Sequence, residues 1–184
     1  MSYSGEGIAM SNELVKGVMV KGVNKKEIDE TDFLMNKLIK GSLNDFKKGS
    51  VFIGNELALS LDISIGDKIN LMSSAFLTTP IGSVPKQESY YVSGLFNTGF
   101  YEFDQNLVFL NLEDSLSFFN KSDNDLNINM YLKDPLKADH YKKEIMRYSN
   151  DFYIFSWTDL NKSFFGALKV ERNVMFVILT LTVS

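Results

Sequence analysis

Cysteine is absent from the 184 residues, which excludes disulfides and thiol chemistry, although the absence suits cytosol and periplasm alike. Histidine occurs once, and neither HExxH nor a paired His and carboxylate spacing is present, so no transition-metal site is expected. The glycines form neither GxGxxG nor a Walker loop, which removes the common phosphate-cradling motifs. Nor is there a basic stripe. The 19 basic and 23 acidic residues lie in short mixed clusters with a net charge of −4, so no nucleic-acid partner is expected. The opening residues, MSYSGEGIAM, lack the basic and apolar regions of a signal peptide. What the chain does have is apolar and aromatic mass, 45% and 13% of its residues, enough for a substantial core in one domain or two small ones.

Catalysis finds no candidate in this composition. His140 stands beside Asp139 on the polar side of a predicted helix, where sequence neighbours do not face a common partner. No Ser sits in a nucleophile-elbow motif. Glu102 and Asp104, two residues apart, would share a face of a strand as a carboxylate pair, but acids of this kind usually keep a loop wet. Asn120-Lys121-Ser122 and Asn161-Lys162-Ser163 match the glycosylation pattern on too little sequence to carry weight. The chain reads as a non-enzyme without cofactor or metal.

Residues 7–10 and 15–23, around a turn at Ser11 and Asn12, have hairpin composition. Phe33, Leu34, Leu38 and Ile39 recur at helical spacing and predict a short helix over 32–40. Residues 51–53 predict a strand that meets Gly54 and a helix over 55–61 with Asn55 as N-cap. A tight turn at Gly66 and Asp67 leads into the next strand. A loop over 99–106, a strand over 107–111 and a helix over 112–119 follow. Leu126, Ile128, Met130 and Leu132 alternate like a strand, residues 134–149 predict a helix with Pro135 in its first turn, and FYIFSW reads as a further strand. Residues 126–157 therefore read as a β-α-β unit, ahead of a long helix capped by Thr158 or Asp159. No tandem repeat is visible. After Lys169, Glu171 and Arg172 comes the uncharged run NVMFVILTLTVS, shorter than the about 20 residues of a membrane span. It is expected to be the first half of a transmembrane helix, with those charges at the interface.

The most unusual stretch is LMSSAFLTTPIGSVPKQESYYVSGLF, residues 71–96. Strand-like arms over 68–72 and 89–96 are separated by residues 73–88, where a hairpin needs about two to five residues. Phe76, Leu77, Ile81 and Val84 make the connection apolar, while Pro80, Gly82 and Pro85 stiffen and shape it. A preorganised apolar arm in water is a protein-docking device, because rigidity lowers the ordering cost of binding.

Three segments, VFIGNELALSLDISIGDKINLM, TTPIGSVPKQESYYVSGLFNTGFYEFDQNLVFLNLEDS and SWTDLNKSFFGALKVERNVMFVILTLTV, occur in that order. Together they resemble the periplasmic region of the LolC/LolE family, the permease subunits of the bacterial lipoprotein-releasing ABC transporter. The resemblance runs over nearly the whole chain. It implies an α+β fold like that of MacB-type permeases. Residues 5–120 would be a mostly-β inserted subdomain with a projecting hook loop over 73–86. Residues 121–160 would be the second half of a β-α-β subdomain whose first half is missing from the chain, and 161–184 a helix leading into a truncated transmembrane segment.

In the LolC type, the loop matching 73–86 is a hook that captures the lipoprotein chaperone LolA. The hook candidates are Phe76, Leu77, Thr79, Pro80, Ile81, Gly82, Val84 and Pro85. Lys86, Gln87, Glu88 and Asn70 are candidates for a supporting pad, with Glu88 and Asn70 standing where the LolC type usually has Arg. The resemblance further implies lipoprotein cargo, a second permease subunit, and an ATP-binding subunit that hydrolyses ATP on the cytoplasmic side. It also implies a place in the bacterial inner membrane through flanking helices, with this segment in the periplasm. LolC-like, LolE-like and homodimeric roles remain open. The alternative is the ectodomain of a MacB/FtsX-type permease, which would transmit ATPase-driven movement to an efflux channel or a cell-wall hydrolase.

Overall fold

The β-branched run VMVKGV places Val18 and Val20 on one face, and both are buried. It belongs to β2 (Leu14–Val23), which folds back on β1 (Ser2–Ser11) in register from Ser2 opposite Val23 to Ser11 opposite Leu14. Asn12 takes the positive φ, 52°, that so tight a turn requires. The expected hairpin forms. The computed structural model describes residues 1–30, 37–80, 82–148 and 152–183, in two units, 1–129 and 130–184.

The first unit adds α1 (Lys25–Glu30), β3 (Leu38–Gly41), β4 (Ser50–Gly54), α2 (Asn55–Ser60), β5 (Lys68–Thr79) and β6 (Gly82–Phe96). It ends with α3 (Tyr101–Asn106), β7 (Leu107–Asn111) and α4 (Leu112–Phe118). The strands run in the order β6-β4-β7-β2-β1-β5, and β5 pairs again with β6, so the sheet closes into a barrel with β3 added along β6. One cluster, including Val20, Val51, Ile53, Ile69, Leu71, Val92, Val108 and Leu110, packs with Leu57 of α2 and Phe118 of α4. A second cluster gathers Phe46, Phe52, Phe96 and Phe109 with Ile28 of α1 and Leu38 of β3. Strands buried on both faces explain why 51–53 and 107–110 read as continuous apolar runs.

The barrel has an internal two-fold relation. A hairpin (β1–β2) followed by a strand and helix (β4–α2) is matched by a second hairpin (β5–β6) followed by β7–α4. Each hairpin's second strand pairs in parallel with the other half's strand, β2 with β7 and β6 with β4. The axis passes between Phe52 and Phe109, which face each other across antiparallel β4 and β7. Both short helices end alike, with Asp62 and Asn120 at positive φ, Ile63 N–H donating to the Ala58 carbonyl at 3.0 Å and Lys121 N–H to that of Leu116 at 2.8 Å. VFIGNELALSL (51–61) and VFLNLEDSLSF (108–118) match at Val, Phe, Glu, Leu and Ser, so a repeat is present where none was expected.

Other expectations are corrected as well. Leu38–Gly41 is a strand, not the end of a helix, because it finds a ladder partner in β6; residues 32–36 of that expected helix lie outside the described residues. Gly54, not Asn55, is the N-cap of α2. Residues 101–106 form a helix rather than a loop, packed so closely that a Cβ on Gly54 would stand 2.0 Å from the Asp104 carbonyl oxygen.

In the second unit, α5 (Ala138–Tyr148) follows a 3-10 turn at Pro135–Lys137 that is capped by Asp134, as the early Pro implies. Then come α6 (Trp157–Leu160) and α7 (Lys162–Val183). Neither flank of α5 forms the expected strand: residues 126–132 make only a bridge from Asn127 to Ser2, 152–156 are irregular, and Trp157 already belongs to the next helix. Alternation provides a face, but a strand persists only beside a second one, and none runs there among the described residues. The cap of α6 is Ser156 in a capping box with Asp159, rather than Thr158 or Asp159. No helix among the described residues is long and apolar enough to cross a membrane.

Candidate functional site

β5 and β6 do not stop where the barrel ends. The connection expected over 73–88 is itself paired: Phe76 opposes Pro85, Leu77 opposes Val84, Thr78 opposes Ser83 and Thr79 opposes Gly82. The arm is therefore a two-stranded ribbon closed at Pro80, not a loop. β1 accompanies β5 only as far as Ser73, so the ribbon projects beyond the sheet. Gly82 at the tip has φ 129°, a region that excludes most L side chains, which is the physical reason for glycine there.

Alternation divides the ribbon's side chains between two faces. Phe76 and Pro85 occupy one, Leu77 and Val84 the other. Phe76 is 62% exposed, Leu77 43% and Val84 45%, so both faces offer apolar surface to solvent. Pro80 and Gly82 are also exposed, and Ile81 lies outside the described residues.

At the base, Met72 opposes Gln87 while Phe76 opposes Pro85, which sets residues 73–75 against Lys86 alone. Such a bulge bends the bulged strand locally, and the Ala75 N–H donates to the buried Ser73 hydroxyl at 2.9 Å within it. Lys86 is anchored. Its Nζ donates to the Ser117 carbonyl at 2.6 Å and the Ser117 hydroxyl at 3.2 Å, and pairs with Glu88 Oε1 at 2.9 Å. The other Glu88 oxygen accepts from the Tyr90 hydroxyl at 2.5 Å. Burial first, and then the bond to Glu88, pushes the Tyr90 phenol far above its ordinary range.

The four pad candidates are not brought together. Lys86 and Glu88 share one face of β6, tied to α4 and Tyr90. Gln87 lies on the opposite face, and Asn70, cross-strand from Ser89, accepts that hydroxyl at 2.5 Å. Sequence reasoning missed Ser117, which is distant from Lys86 in sequence, and Tyr90, because Glu88 reads as part of the connection rather than of the strand that carries Tyr90.

The remaining chemical candidates resolve into structure. Asp104 is buried and accepts from the Thr98 N–H and hydroxyl, both at 2.8 Å, and from the Gly99 N–H at 3.2 Å, while Glu102 is exposed. Two positions apart on a helix, they point to different sides rather than forming a pair. His140 is exposed on α5 beside the Tyr141 ring. Asp139 accepts from the Thr158 and Ser156 hydroxyls, which hold its carboxyl below the usual range. Asp114 is buried and raised by that burial, against which the Gly49 N–H donates at 2.7 Å.

No protein-family model matches the chain. Among curated proteins, the lipoprotein-releasing system transmembrane protein LolC of Xylella fastidiosa (strain 9a5c) is 29% identical over 178 residues, covering 95% of this chain and 43% of that relative. LolC of Buchnera aphidicola subsp. Acyrthosiphon pisum is 32% identical over 163 residues, covering 84% of this chain and 39% of that relative. LolE of Haemophilus influenzae is 24% identical over 173 residues, with 92% and 41% covered. The chain thus spans less than half the length of these relatives. Among solved structures, the extracellular domain of the noncanonic ABC-type transporter YknZ from Gram-positive bacteria shares the fold at a TM-score of 0.54 and 18% identity, covering 82% of this chain and 72% of that one.

Proposed function

We propose, for a chain that belongs to the LolC/LolE family of lipoprotein-releasing transmembrane proteins, that its 73–86 ribbon is a hook for a LolA-type lipoprotein chaperone. The observation that carries the reading is the ribbon itself. A paired hairpin projects past its barrel with Phe76 and Pro85 on one face and Leu77 and Val84 on the other. A flexible connector has no use for apolar surface on two faces, whereas a ribbon gripped on both sides by a partner does.

In this reading the chain is a non-catalytic periplasmic part of an ABC transporter permease in the bacterial inner membrane. ATP is hydrolysed in a separate cytoplasmic subunit, a second permease subunit completes the complex, and released lipoprotein passes to the chaperone at the hook. The proposed domain plan is a mostly-β subdomain over 5–120, the remainder of an α+β subdomain over 121–160, and a helix over 161–184 directed toward the membrane. The test is binding of a purified LolA-type chaperone to this chain. Pro80→Gly and Phe76→Ala are each expected to abolish binding, and unchanged affinity in both removes the hook assignment. A MacB/FtsX-type ectodomain would bind an efflux channel or a cell-wall hydrolase instead.

A further inference from the structure

We propose that the β5 side of the ribbon, residues 74–79, is a pairing edge that takes an extended backbone segment of the partner, namely an edge strand of the partner's own sheet. The inference rests on the reading of the ribbon as the partner-binding arm. β1 leaves β5 at Ser73, and no strand among the described residues lies along 74–79 on that side. The phase of the ribbon fixes which groups are free. Pro85 has no N–H, so Phe76 and Pro85 form a non-hydrogen-bonded pair. Leu77 and Val84 then exchange the ladder bonds, and the N–H and C=O of Phe76 and Thr78 point away from β6. Such groups recur about every 6.8 Å, the repeat of another extended backbone.

The two edges of the ribbon differ in protection. On the β6 side, Pro85 offers no donor and Lys86 follows it, the residue types that keep a sheet edge from pairing. On the β5 side, SAFLTT contains no proline, glycine or charge and is rich in strand formers. An open edge beside a blocked one selects a single side for strand addition. A second copy of the ribbon would satisfy the same backbone groups, but an edge strand of the partner joins this pairing to the contact already assigned to the ribbon's two apolar faces.

The test combines amide hydrogen exchange with affinity for a purified LolA-type chaperone. In the complex of the unmodified chain, the Phe76 and Thr78 amides are expected to exchange at least about tenfold more slowly than in the free chain, while Leu77 changes little because its amide is already bonded. Thr78→Ala keeps its N–H and is expected to bind within about twofold of the parent, whereas Thr78→Pro loses it and weakens binding roughly tenfold. Unchanged exchange at Phe76 and Thr78 overturns the proposal even if Thr78→Pro disturbs the ribbon. Equal losses in both Thr78 variants assign the contact to the side chain and overturn it too. Protection at Phe76 and Thr78 in a self-associated chain without chaperone gives the edge to a second copy, with the same consequence. If the unmodified chain does not bind at all, the hook reading itself falls, a result distinct from binding without edge protection.

Discussion

Lys86 and Ser117 are joined across the base of the hook, with the ammonium 2.6 Å from the carbonyl oxygen and 3.2 Å from the hydroxyl. Lys86 is also the single β6 residue opposite the bulge at 73–75, so the bend and the anchor coincide. Its charge is occupied within the molecule, by the end of α4 and by Glu88, rather than held out for a partner.

Lys86→Met keeps the aliphatic stem and deletes the anchor. The expected cost to folding is about 1 kcal/mol, because the pair is partly exposed. The larger effect falls on the arm, whose orientation relative to the barrel broadens. Paired spin labels on Ser83 and on Ser60 measure that distribution, and a width equal to the parent's would deny Lys86 its anchoring role.

Core and hook are separable because their aromatic residues live in different environments. Phe52 is fully buried, and Phe52→Ala is expected to cost about 3–5 kcal/mol in denaturant unfolding. Phe76 is largely exposed, and Phe76→Ala is expected to change stability by no more than about 0.5 kcal/mol while removing partner binding. A destabilisation by Phe76→Ala comparable to that of Phe52→Ala would place Phe76 in the fold's support rather than at an interface.

Backbone proximity gives a third test. A Cβ at Gly54 would stand 2.0 Å from the Asp104 carbonyl oxygen, a backbone atom that can retreat only if α3 shifts. Gly54→Ala is expected to destabilise by about 3 kcal/mol or more. Gly17, exposed on β2, has nothing within 4 Å of where a Cβ would stand, and Gly17→Ala is expected to stabilise by about 0.5–1 kcal/mol. Thermal unfolding of the two variants side by side checks the contrast.

The sequence carried the first hairpin, the strands around Phe52 and Phe109 and the two short helices because local pattern and burial agree there. It carried the docking arm through an excess of residues between two strands, but not the arm's structure. Pro80, Gly82 and Pro85 read as loop formers, yet Pro80 occupies the turn and Pro85 a non-hydrogen-bonded position, both compatible with a ribbon. The β-α-β reading of 126–157 failed for a converse reason, since alternation at Leu126, Ile128 and Met130 cannot reveal whether a neighbouring strand exists. Lys86 and Ser117 are far apart in sequence, and no local signal joins them.

Asp114 supplies a prediction in pH. Burial raises its folded-state pKa above the ordinary 3.8, so folding favours the protonated form. The corresponding stabilisation is fully present below 3.8 and is lost as pH rises through the raised value. Asp114→Asn is neutral throughout and keeps an amide oxygen to accept the Gly49 N–H. The variant is therefore expected to be more stable than the parent at pH 7, with the difference shrinking as pH falls toward and below 3.8. Denaturation midpoints of both proteins across that range isolate Asp114, because every other carboxylate titrates in both. A difference that stays constant with pH would mean that burial of the charge is not what Asp114 contributes.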